Sequence, residues 1–170
     1  METMYNKKRP SLTTGSHSLG ILIEWRLLMA DKDPYVYRIK SVVKVVDGDT
    51  IDADIDLGFD ISLTKRIRLA GIDTPESRTS DAYEKKLGLE AKEWIKARLK
   101  DSKNILIKTE LPDSTEKYGR IIGHLYINGE EISLNDYMII EGYAWKYDGG
   151  KKKKDFDELL ARRKTSLPNS

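Results

Sequence analysis

The chain has 170 residues, of which 39% are hydrophobic and 34% charged, with a net charge of +2 at pH 7. This length fits one domain with a substantial core, and so small a net charge does not by itself indicate a nucleic-acid partner. The sequence contains no cysteine, which excludes disulfides, zinc–thiolate sites and thiol catalysis. No apolar run approaches the roughly 20 residues that cross a bilayer, and Glu24 and Arg26 interrupt the one candidate signal sequence. We therefore expect a cytoplasmic protein with no membrane partner.

The N-terminal part of the chain differs from the rest. Residues 1–32 show neither a helical nor a strand period, so we expect a disordered or loosely packed tail. Three strands are then predicted before any helix, over residues 35–46, 51–57 and 61–70. The second and third strands share one apolar face, formed by Ile51, Ala53, Ile55, Leu57, Leu63, Ile67 and Leu69. This order predicts a curled antiparallel meander.

The second half of the chain mixes helices and strands. A helical stripe predicts a helix over residues 84–99, formed by Leu87, Ala91, Trp94, Ile95 and Leu99. Strands are predicted over 104–110 and 120–127, and Asn128-Gly129 predicts a hairpin turn whose return strand is 131–132. Ser133 is expected to cap a short helix that ends at Gly142, and a last amphipathic segment uses Phe156, Leu159 and Leu160.

These elements together predict an α+β fold. Five strands with an inserted helix and C-terminal helices are typical of a five-stranded OB-type β-barrel with about three helices. We expect this domain to occupy residues 33–165, with a C-terminal tail at residues 166–170.

Two short acidic turns are the candidate metal site. Asp49 lies in Asp47-Gly48-Asp49-Thr50, and Asp73 begins Asp73-Thr74-Pro75-Glu76. A hard cation prefers oxygen ligands, so these two carboxylates, the Thr74 carbonyl and waters would form an open site. Each turn taken alone is better explained as a turn former than as a metal site. The combination with Arg68 between the turns and Glu76 after them favours the metal site.

A second run of aspartates has a different explanation. Asp52, Asp54 and Asp56 imitate the start of an EF-hand loop. Leu57 stands where that loop needs glycine, and Leu63 stands where it needs a bidentate glutamate. We therefore expect these three aspartates to form an exposed strand face.

Arginine and glutamate supply the remaining chemistry. Arg68 and Arg120 are candidate phosphate clamps, because a guanidinium offers a planar fork of donors and stays charged. Arg66 shares a face with Arg68, and the sequence does not distinguish the two. Glu76 is the candidate general base that activates a water, although a glutamate after proline is also common in the first turn of a helix.

Three motifs in order, DGDT, RIRLAGIDTPE and EKYGR, resemble the staphylococcal nuclease (thermonuclease) family. The similarity covers roughly residues 35–147. It implies a five-stranded OB barrel with three helices that hydrolyses phosphodiesters of DNA and RNA with Ca²⁺. It also implies 5′-hydroxyl and 3′-phosphate product ends.

The resemblance also assigns roles by position. It implies Asp49 and Asp73 as metal ligands, Thr74 as a ligand through its carbonyl, and Glu76 as the base or the residue that orders water. Arg68 and Arg120 match the phosphate-binding arginines. Lys117 and Tyr118 match residues that contact the nucleotide's phosphate, and Tyr147 is the counterpart of the family's nucleotide-contacting tyrosines. The segment GYAWKYDGGKKKK departs from the family there, which leaves substrate preference open.

Three functions are compatible with this pattern. The first is an active, calcium-dependent endonuclease on DNA and RNA, monomeric and preferring single-stranded or unpaired regions. The second is a non-catalytic nucleic-acid-binding module of the same fold. The third is a plain OB-fold single-strand binder, which would need aromatic stacking platforms. Only 8% of residues are aromatic, and the acidic and arginine positions are complete, so the sequence favours the nuclease.

Overall fold

The computed structural model describes residues 35–109, 119–150, 152 and 154–166. The longer strands are β1 (Val36–Asp47), β2 (Thr50–Gly58), β3 (Ile61–Leu69), β5 (Ile105–Thr109) and β6 (Ile121–Ile127). Two short strands are β4 (Ile72–Asp73) and β7 (Trp145–Lys146). The helices are α1 (Ala82–Lys100), α2 (Leu134–Ile140) and α3 (Phe156–Ser166). The predicted tail at residues 1–32 and the predicted nucleotide contacts Lys117 and Tyr118 lie outside the described residues.

Five strands close into a barrel in the order β1-β2-β3-β6-β5. The meander β1-β2-β3 is antiparallel, β3 pairs with β6 in parallel, and β5 pairs antiparallel with both β6 and β1. With three helices this is an α+β OB-type barrel, and the predicted fold class is confirmed. The barrel leaves strand ends and loops on one side, where the acidic turns lie.

The core occupies the barrel and the interface with α1. Inward-facing residues of β2 and β3, such as Ile51, Ala53 and Ile67, are completely buried. The predicted α1 stripe is buried at Leu87, Ala91, Ile95 and Leu99. Trp94 is only half-buried, because its indole Nε1 reaches Glu141 and donates to Oε2 at 2.7 Å.

The hairpin of β2 and β3 extends beyond the barrel. Leu57 and Leu63 were expected on the buried face, but they are 42% and 39% exposed. The turn between the strands carries Phe59, which has φ of 52° and is 98% exposed. The alternating pattern therefore continues past the point where the barrel can bury it.

The aspartates of β2 share one strand face, as predicted, but they are half-buried rather than exposed, and they are paired across the sheet. Arg66 donates to Asp52 at 2.7 and 2.9 Å, and the hydroxyls of Ser41 and Thr64 donate to Asp54 at 2.6 and 2.5 Å. These hydrogen bonds lower the pKa of both carboxyl groups. Their stabilising contribution is therefore present at neutral pH and is lost as the pH falls through the folded-state pKa.

The predicted return strand at residues 131–132 is wrong. Asn128 and Gly129 do form a turn, with φ of 52° and 81°. However, β6 already pairs with β5 on one edge and β3 on the other, so no edge is left for a further strand. The Asn128 carboxamide instead accepts hydrogen bonds from the backbone N–H of Lys103, at 2.9 Å, and of Asn104, at 3.3 Å.

Strands β4 and β7 were not predicted. They pair antiparallel as a separate two-stranded sheet, with Ile72 opposite Lys146 and Asp73 opposite Trp145. Two residues are too few to show a strand period, which explains why pattern analysis missed them. This small sheet fixes the backbone of the second acidic turn.

Helix α2 is attached to the barrel through a buried asparagine. Ser133 caps the helix as predicted, and its hydroxyl accepts the Asp136 N–H at 3.1 Å. Asn135 is 1% exposed; its carboxamide donates to the carbonyls of Ala70 and Gly123 at 2.8 and 3.2 Å and accepts the Leu125 N–H at 3.1 Å. None of the helices in the described part of the chain is long and apolar enough to span a bilayer.

We expect Asn135→Leu to lower the free energy of unfolding by at least about 2 kcal/mol, because the buried Ala70 carbonyl and Leu125 N–H would lose this partner. The Gly123 carbonyl would keep its hydrogen bond from the Ala70 N–H at 2.9 Å. Denaturant unfolding measures this loss. Asn104→Leu, at an exposed position, is the matched control and should change stability by no more than about 0.5 kcal/mol. Equal stability of the two variants would contradict the role assigned to Asn135.

Candidate active site

A polar cavity of about 230 Å³ opens beside the two acidic turns. It brings together seven of the nine site residues expected from sequence: Asp49, Arg68, Asp73, Thr74, Glu76, Arg120 and Tyr147. The other two, Lys117 and Tyr118, lie outside the described residues. The candidate residues come from five separate places in the chain, so the cavity is a product of the fold.

Arg68 joins the two buried aspartates at the floor of this cavity. Its Nη1 forms an ion pair with the Asp49 carboxylate, and its Nη2 lies 3.2 Å from Asp73 Oδ1. Nη2 also donates to the Ile72 carbonyl at 3.0 Å. Asp49 and Asp73 are only 8% and 4% exposed, and a carboxylate so removed from water is costly to bury without an ion-pair partner.

The structure also distinguishes Arg68 from Arg66. Arg66 pairs with Asp52 on the outer face of the β2–β3 hairpin, and half of its side chain is exposed. Arg68 is two residues further along β3, where the strand reaches the cavity, and is largely buried. The two arginines share a face, as the strand period requires, but only Arg68 contacts the candidate metal ligands.

The tight turn between β1 and β2 places Asp49. Its backbone carbonyl accepts the Leu69 N–H at 2.8 Å, and its carboxylate accepts the Thr74 N–H at 3.2 Å. Gly48 lies against helix α1, where an added Cβ would be 3.0 Å from the Ala91 side chain and from that of Thr74. Glycine is therefore needed at this position for close packing between the first turn, the second turn and the helix.

The small sheet places Asp73 and Tyr147. Asp73 lies opposite Trp145 in the β4–β7 pair, and the Tyr147 N–H donates to the Gly71 carbonyl at 2.8 Å. Trp145 is buried and donates its indole N–H to the Asp155 carbonyl at 2.8 Å. The Asp73 turn is thus anchored to the segment that leads into α3.

Glu76 lies in a loop that packs against helix α1. A Cβ on Gly88 would lie 2.6 Å from the Pro75 carbonyl oxygen and 2.7 Å from the Ser77 nitrogen, so the loop backbone touches the helix at this glycine. One turn earlier, the buried carboxylate of Glu84 accepts the Glu76 N–H at 3.3 Å. The Glu76 side chain itself is half exposed and faces the cavity.

Sequence patterns missed three charged residues that line the same cavity. Asp47 and Arg78 are paired at 2.6 Å, and Lys152 donates to Asp73 Oδ1 at 2.9 Å. Asp47 belongs to the first acidic turn and was identifiable as a candidate. Arg78 and Lys152 enter from loops, where no periodicity indicates the direction of a side chain.

Two residues of the C-terminal lysine run form ion pairs at or near the cavity. Lys152 contacts Asp73 in the cavity, and Lys154 contacts Glu84 of helix α1 at 2.9 Å. The Glu84 carboxylate raises the pKa of Lys154. Lys151 and Lys153 lie outside the described residues.

The oxygen donors in the cavity suit a hard cation. The carboxylates of Asp49 and Asp73 contact the two terminal nitrogens of one guanidinium, that of Arg68, so they lie close to the same group. Thr74 follows Asp73 directly and lines the same cavity. Within the described residues, no group of three or more histidine, cysteine or acidic side chains forms a ready-made metal cluster. Any cation here would therefore be held by two carboxylates and rely on carbonyl and water oxygens for its remaining ligands.

A match to a family model shows which protein family the chain belongs to. Residues 66–166, more than half of the chain, match the model described as staphylococcal nuclease homologue. The chain belongs to the staphylococcal nuclease family. Membership supports a nuclease or nucleic-acid-binding function for the barrel.

Individual relatives are more distant. The chain is 32% identical over 106 residues to the thermonuclease of Staphylococcus hyicus, covering 61% of this chain and 56% of that protein. It is 31% identical over 114 residues to the protein ParB of Escherichia coli, covering 63% and 56%. It is 29% identical over 141 residues to an uncharacterised protein of Methanocaldococcus jannaschii, covering 72% and 66%. The match thus spans about half to two thirds of the length of these three relatives.

We expect Gly88→Ala in this staphylococcal nuclease homologue to lower the free energy of unfolding by about 1–3 kcal/mol, because the new methyl group overlaps the Pro75–Ser77 backbone. The sign of this change in the free energy of unfolding is informative, because replacing glycine by alanine inside a helix ordinarily stabilises a protein by about 0.5–1 kcal/mol. Denaturant unfolding measures the change, and the amide NMR shifts of Glu76 and Ser77 report whether the loop moves. Lys86→Ala, exposed on the same helix, is the control. A stabilised Gly88→Ala with unmoved amides would disprove the contact.

Proposed function

We propose that this protein is a calcium-dependent endonuclease that hydrolyses phosphodiester bonds of DNA and RNA and leaves 5′-hydroxyl and 3′-phosphate ends. The observation that carries the proposal is the bridge from Arg68 to the two buried carboxylates Asp49 and Asp73. The bridge lies in one cavity with Glu76 and Arg120. A cation site, a phosphate clamp and a candidate base are thus within one small space.

In this proposal Asp49, Asp73 and the Thr74 carbonyl hold the Ca²⁺ ion. The bound ion supplies positive charge that polarises a phosphoryl oxygen and stabilises the charge of the transition state. Because it would also neutralise the two carboxylates, it would take over the role that Arg68 performs in the bridge. The donors of the guanidinium would then be available for phosphate oxygens.

The charge balance of the cavity supports binding of the cation before binding of the phosphate. Among the residues that the structure describes, four carboxylates line the cavity, from Asp47, Asp49, Asp73 and Glu76, and four cationic groups balance them, from Arg68, Arg78, Arg120 and Lys152. A balanced cavity attracts an anionic phosphodiester only weakly. A divalent cation would give it a net positive charge, so we expect nucleic acid to bind productively only with the metal.

Glu76 is the proposed activator of the attacking water, either as a general base or by orienting the water. Its side chain is half exposed, so water reaches it. Its backbone is held by Glu84, and its Oε1 accepts the Arg78 N–H at 3.2 Å. This support fixes the carboxylate at the cavity wall while leaving it open to solvent.

Arg68 and Arg120 are the proposed phosphate clamps. Charge on the equatorial oxygens grows during phosphoryl transfer, and prearranged guanidinium donors stabilise it. The structure makes Arg120 the cleaner test of this role. Removal of Arg68 would take away the guanidinium that the buried Asp49 and Asp73 share, which itself destabilises the fold, although Asp73 would keep its ion pair with Lys152.

The substrate-contacting residues complete the proposal. Tyr147 lines the cavity, and we propose that it contacts the nucleotide together with Lys117 and Tyr118. The buried carboxylates lie at the floor of a narrow cavity, so a phosphate must approach them closely. A single or unpaired strand bends to do so more readily than a duplex does. We therefore propose a preference for single-stranded or unpaired nucleic acid, acted on by a monomer.

Cleavage of an end-labelled single-stranded DNA by the purified protein tests the function directly. We expect cutting with calcium, none with EDTA, and a loss of cutting in Glu76→Gln. Tight binding without cutting in calcium or magnesium would contradict the nuclease and favour a non-catalytic binding module of the same family.

We expect Arg120→Lys to reduce kcat by about 10²–10³-fold, because lysine lacks the planar fork and one prearranged donor contributes about 2.7–4 kcal/mol to the barrier. Initial rates on the same DNA at saturating calcium measure the effect. Arg38→Lys, which changes an exposed arginine paired with Asp56 at 3.5 Å, should retain the full rate. A similar rate in both variants would remove Arg120 from the site.

Calcium should also stabilise the folded protein, independently of catalysis. At a calcium concentration about 100-fold above Kd, the free energy of unfolding should rise by about 2.7 kcal/mol. In Asp73→Asn this increment should disappear, whereas Asp56→Asn, on the outer strand face, should keep it. Thermal unfolding with and without calcium gives the increment for each variant. An undiminished increment in Asp73→Asn would show that calcium binds elsewhere.

A further inference from the structure

A groove of about 680 Å³ lies between strand β1 and helix α1, outside the candidate active site. All the titratable side chains that line it are lysines: Lys40, Lys44, Lys92, Lys96 and Lys100. Its other lining residues are apolar or hydroxyl-bearing. We call this surface the lysine groove. Five like charges on one surface repel one another, so an anionic partner would relieve a cost that the protein bears alone.

The helix wall of the groove has a regular spacing. Lys92, Lys96 and Lys100 are four residues apart, which stacks them on one face of α1 with about 6 Å between successive Cα levels. Lys96 pairs with Glu93 at 3.3 Å, but both side chains are well exposed, and such pairs contribute little. The helix therefore presents a row of positive charge along the groove.

On the strand side of the groove, the positive charge of the lysines is partly balanced by aspartates. Lys44 pairs in register with Asp52 on β2, and the charge of Lys44 contributes to the lowered pKa of that aspartate. Lys40 acts in the same direction on the pKa of Asp54. Asp52 already accepts two hydrogen bonds from Arg66, and Asp54 accepts two from hydroxyl groups. The net positive charge of the groove is therefore concentrated on its helix wall.

A second groove connects this surface to the candidate active site. It has a volume of about 610 Å³ and contains Lys65 and Arg66. It shares Arg78 and Arg120 with the active-site cavity, and it shares Val43 with the lysine groove. The three surfaces thus adjoin one another, from the proposed cleavage site across the barrel to α1. The middle groove also contains Asp47 and Asp52, which pair with Arg78 and Arg66.

We propose that the lysine groove binds the phosphate backbone of the polynucleotide whose scissile phosphate occupies the active-site cavity. The proposal rests on the proposed nuclease function and extends it to the flanking part of the substrate. Lysine is a flexible point charge that neutralises phosphates without reading sequence, as an unspecific nuclease requires. An acidic protein surface would have no reason to connect with the cavity, and this continuity favours nucleic acid.

The proposal predicts that substrate length matters. A tetranucleotide fills the active-site cavity and its immediate surroundings, whereas a strand of about 30 nucleotides, roughly twice the largest OB-fold site size, also reaches the helix. The groove should therefore improve kcat/KM only for the longer strand. It should also steepen the salt dependence of binding, since each neutralised phosphate releases counterions.

The test variant is the triple substitution Lys92→Gln, Lys96→Gln and Lys100→Gln, which removes the charges and retains residues with high helix propensity. The matched control is Lys85→Gln, Lys86→Gln and Lys164→Gln, which removes the same charge from exposed positions outside the grooves. Binding is measured with calcium in a Glu76→Gln background, so that the strand stays intact. Cleavage is measured in the active protein.

We expect the triple variant to bind the long strand roughly ten-fold more weakly near physiological salt, with a salt slope that is shallower by about 2. Its kcat/KM should fall on the long strand and stay unchanged on the tetranucleotide, while the control variant changes neither. The proposal would be overturned if the triple variant and the control variant had the same salt slope of binding and the same dependence of kcat/KM on strand length. Loss of binding to phosphatidylserine vesicles with an unchanged DNA slope would also overturn it and assign the groove to a lipid surface.

The same experiment separates this proposal from the proposed function. If no variant and no parent protein cuts DNA, the nuclease function fails, and the salt slopes still decide whether the groove binds phosphate backbone. If the parent cuts both substrates and the triple variant matches it on each, the nuclease stands and the groove proposal fails.

Discussion

Two aspartates buried at the edge of a small barrel must be balanced by positive charge, and the whole site is built around this requirement. Asp49 and Asp73 are both buried, and one guanidinium, that of Arg68, forms an ion pair with each of them. Convergence of two carboxylates on a single cationic group also describes a site for a divalent cation. The electrostatic problem that the fold solves with arginine is the same one that calcium would solve during catalysis.

Helix α1 holds the two acidic turns in their relative positions. It contacts the first turn at Gly48 and the loop of Glu76 at Gly88, in both cases closely enough that a Cβ would be tight or would clash. Its buried Glu84 also accepts the Glu76 N–H. One rigid element thus supports the candidate ligands on one side and the candidate base on the other. The same helix carries the lysine row towards its other end, so the positions of the acidic turns and the proposed binding of the substrate backbone depend on one element.

Much of the barrel was predictable because its strands alternate strictly over their buried length. Prediction failed where a residue's environment depends on distant parts of the chain. Leu57 continues the apolar alternation but lies beyond the barrel, and residues 131–132 follow a good turn but find no free edge. The same limit applies to the prediction of the site residues. The acidic turns and Arg120 were recognisable as motifs, whereas Arg78 and Lys152 reach the cavity from loops whose direction no local pattern encodes.

The most direct test of this account is a crystal structure of the protein with calcium and a nucleoside bisphosphate. We predict a calcium ion bound by the carboxylates of Asp49 and Asp73, with the Arg68 guanidinium released from its bridge and hydrogen-bonded to a phosphate oxygen. A structure in which Arg68 still bridges both aspartates, with calcium and phosphate bound elsewhere or not at all, would contradict the account.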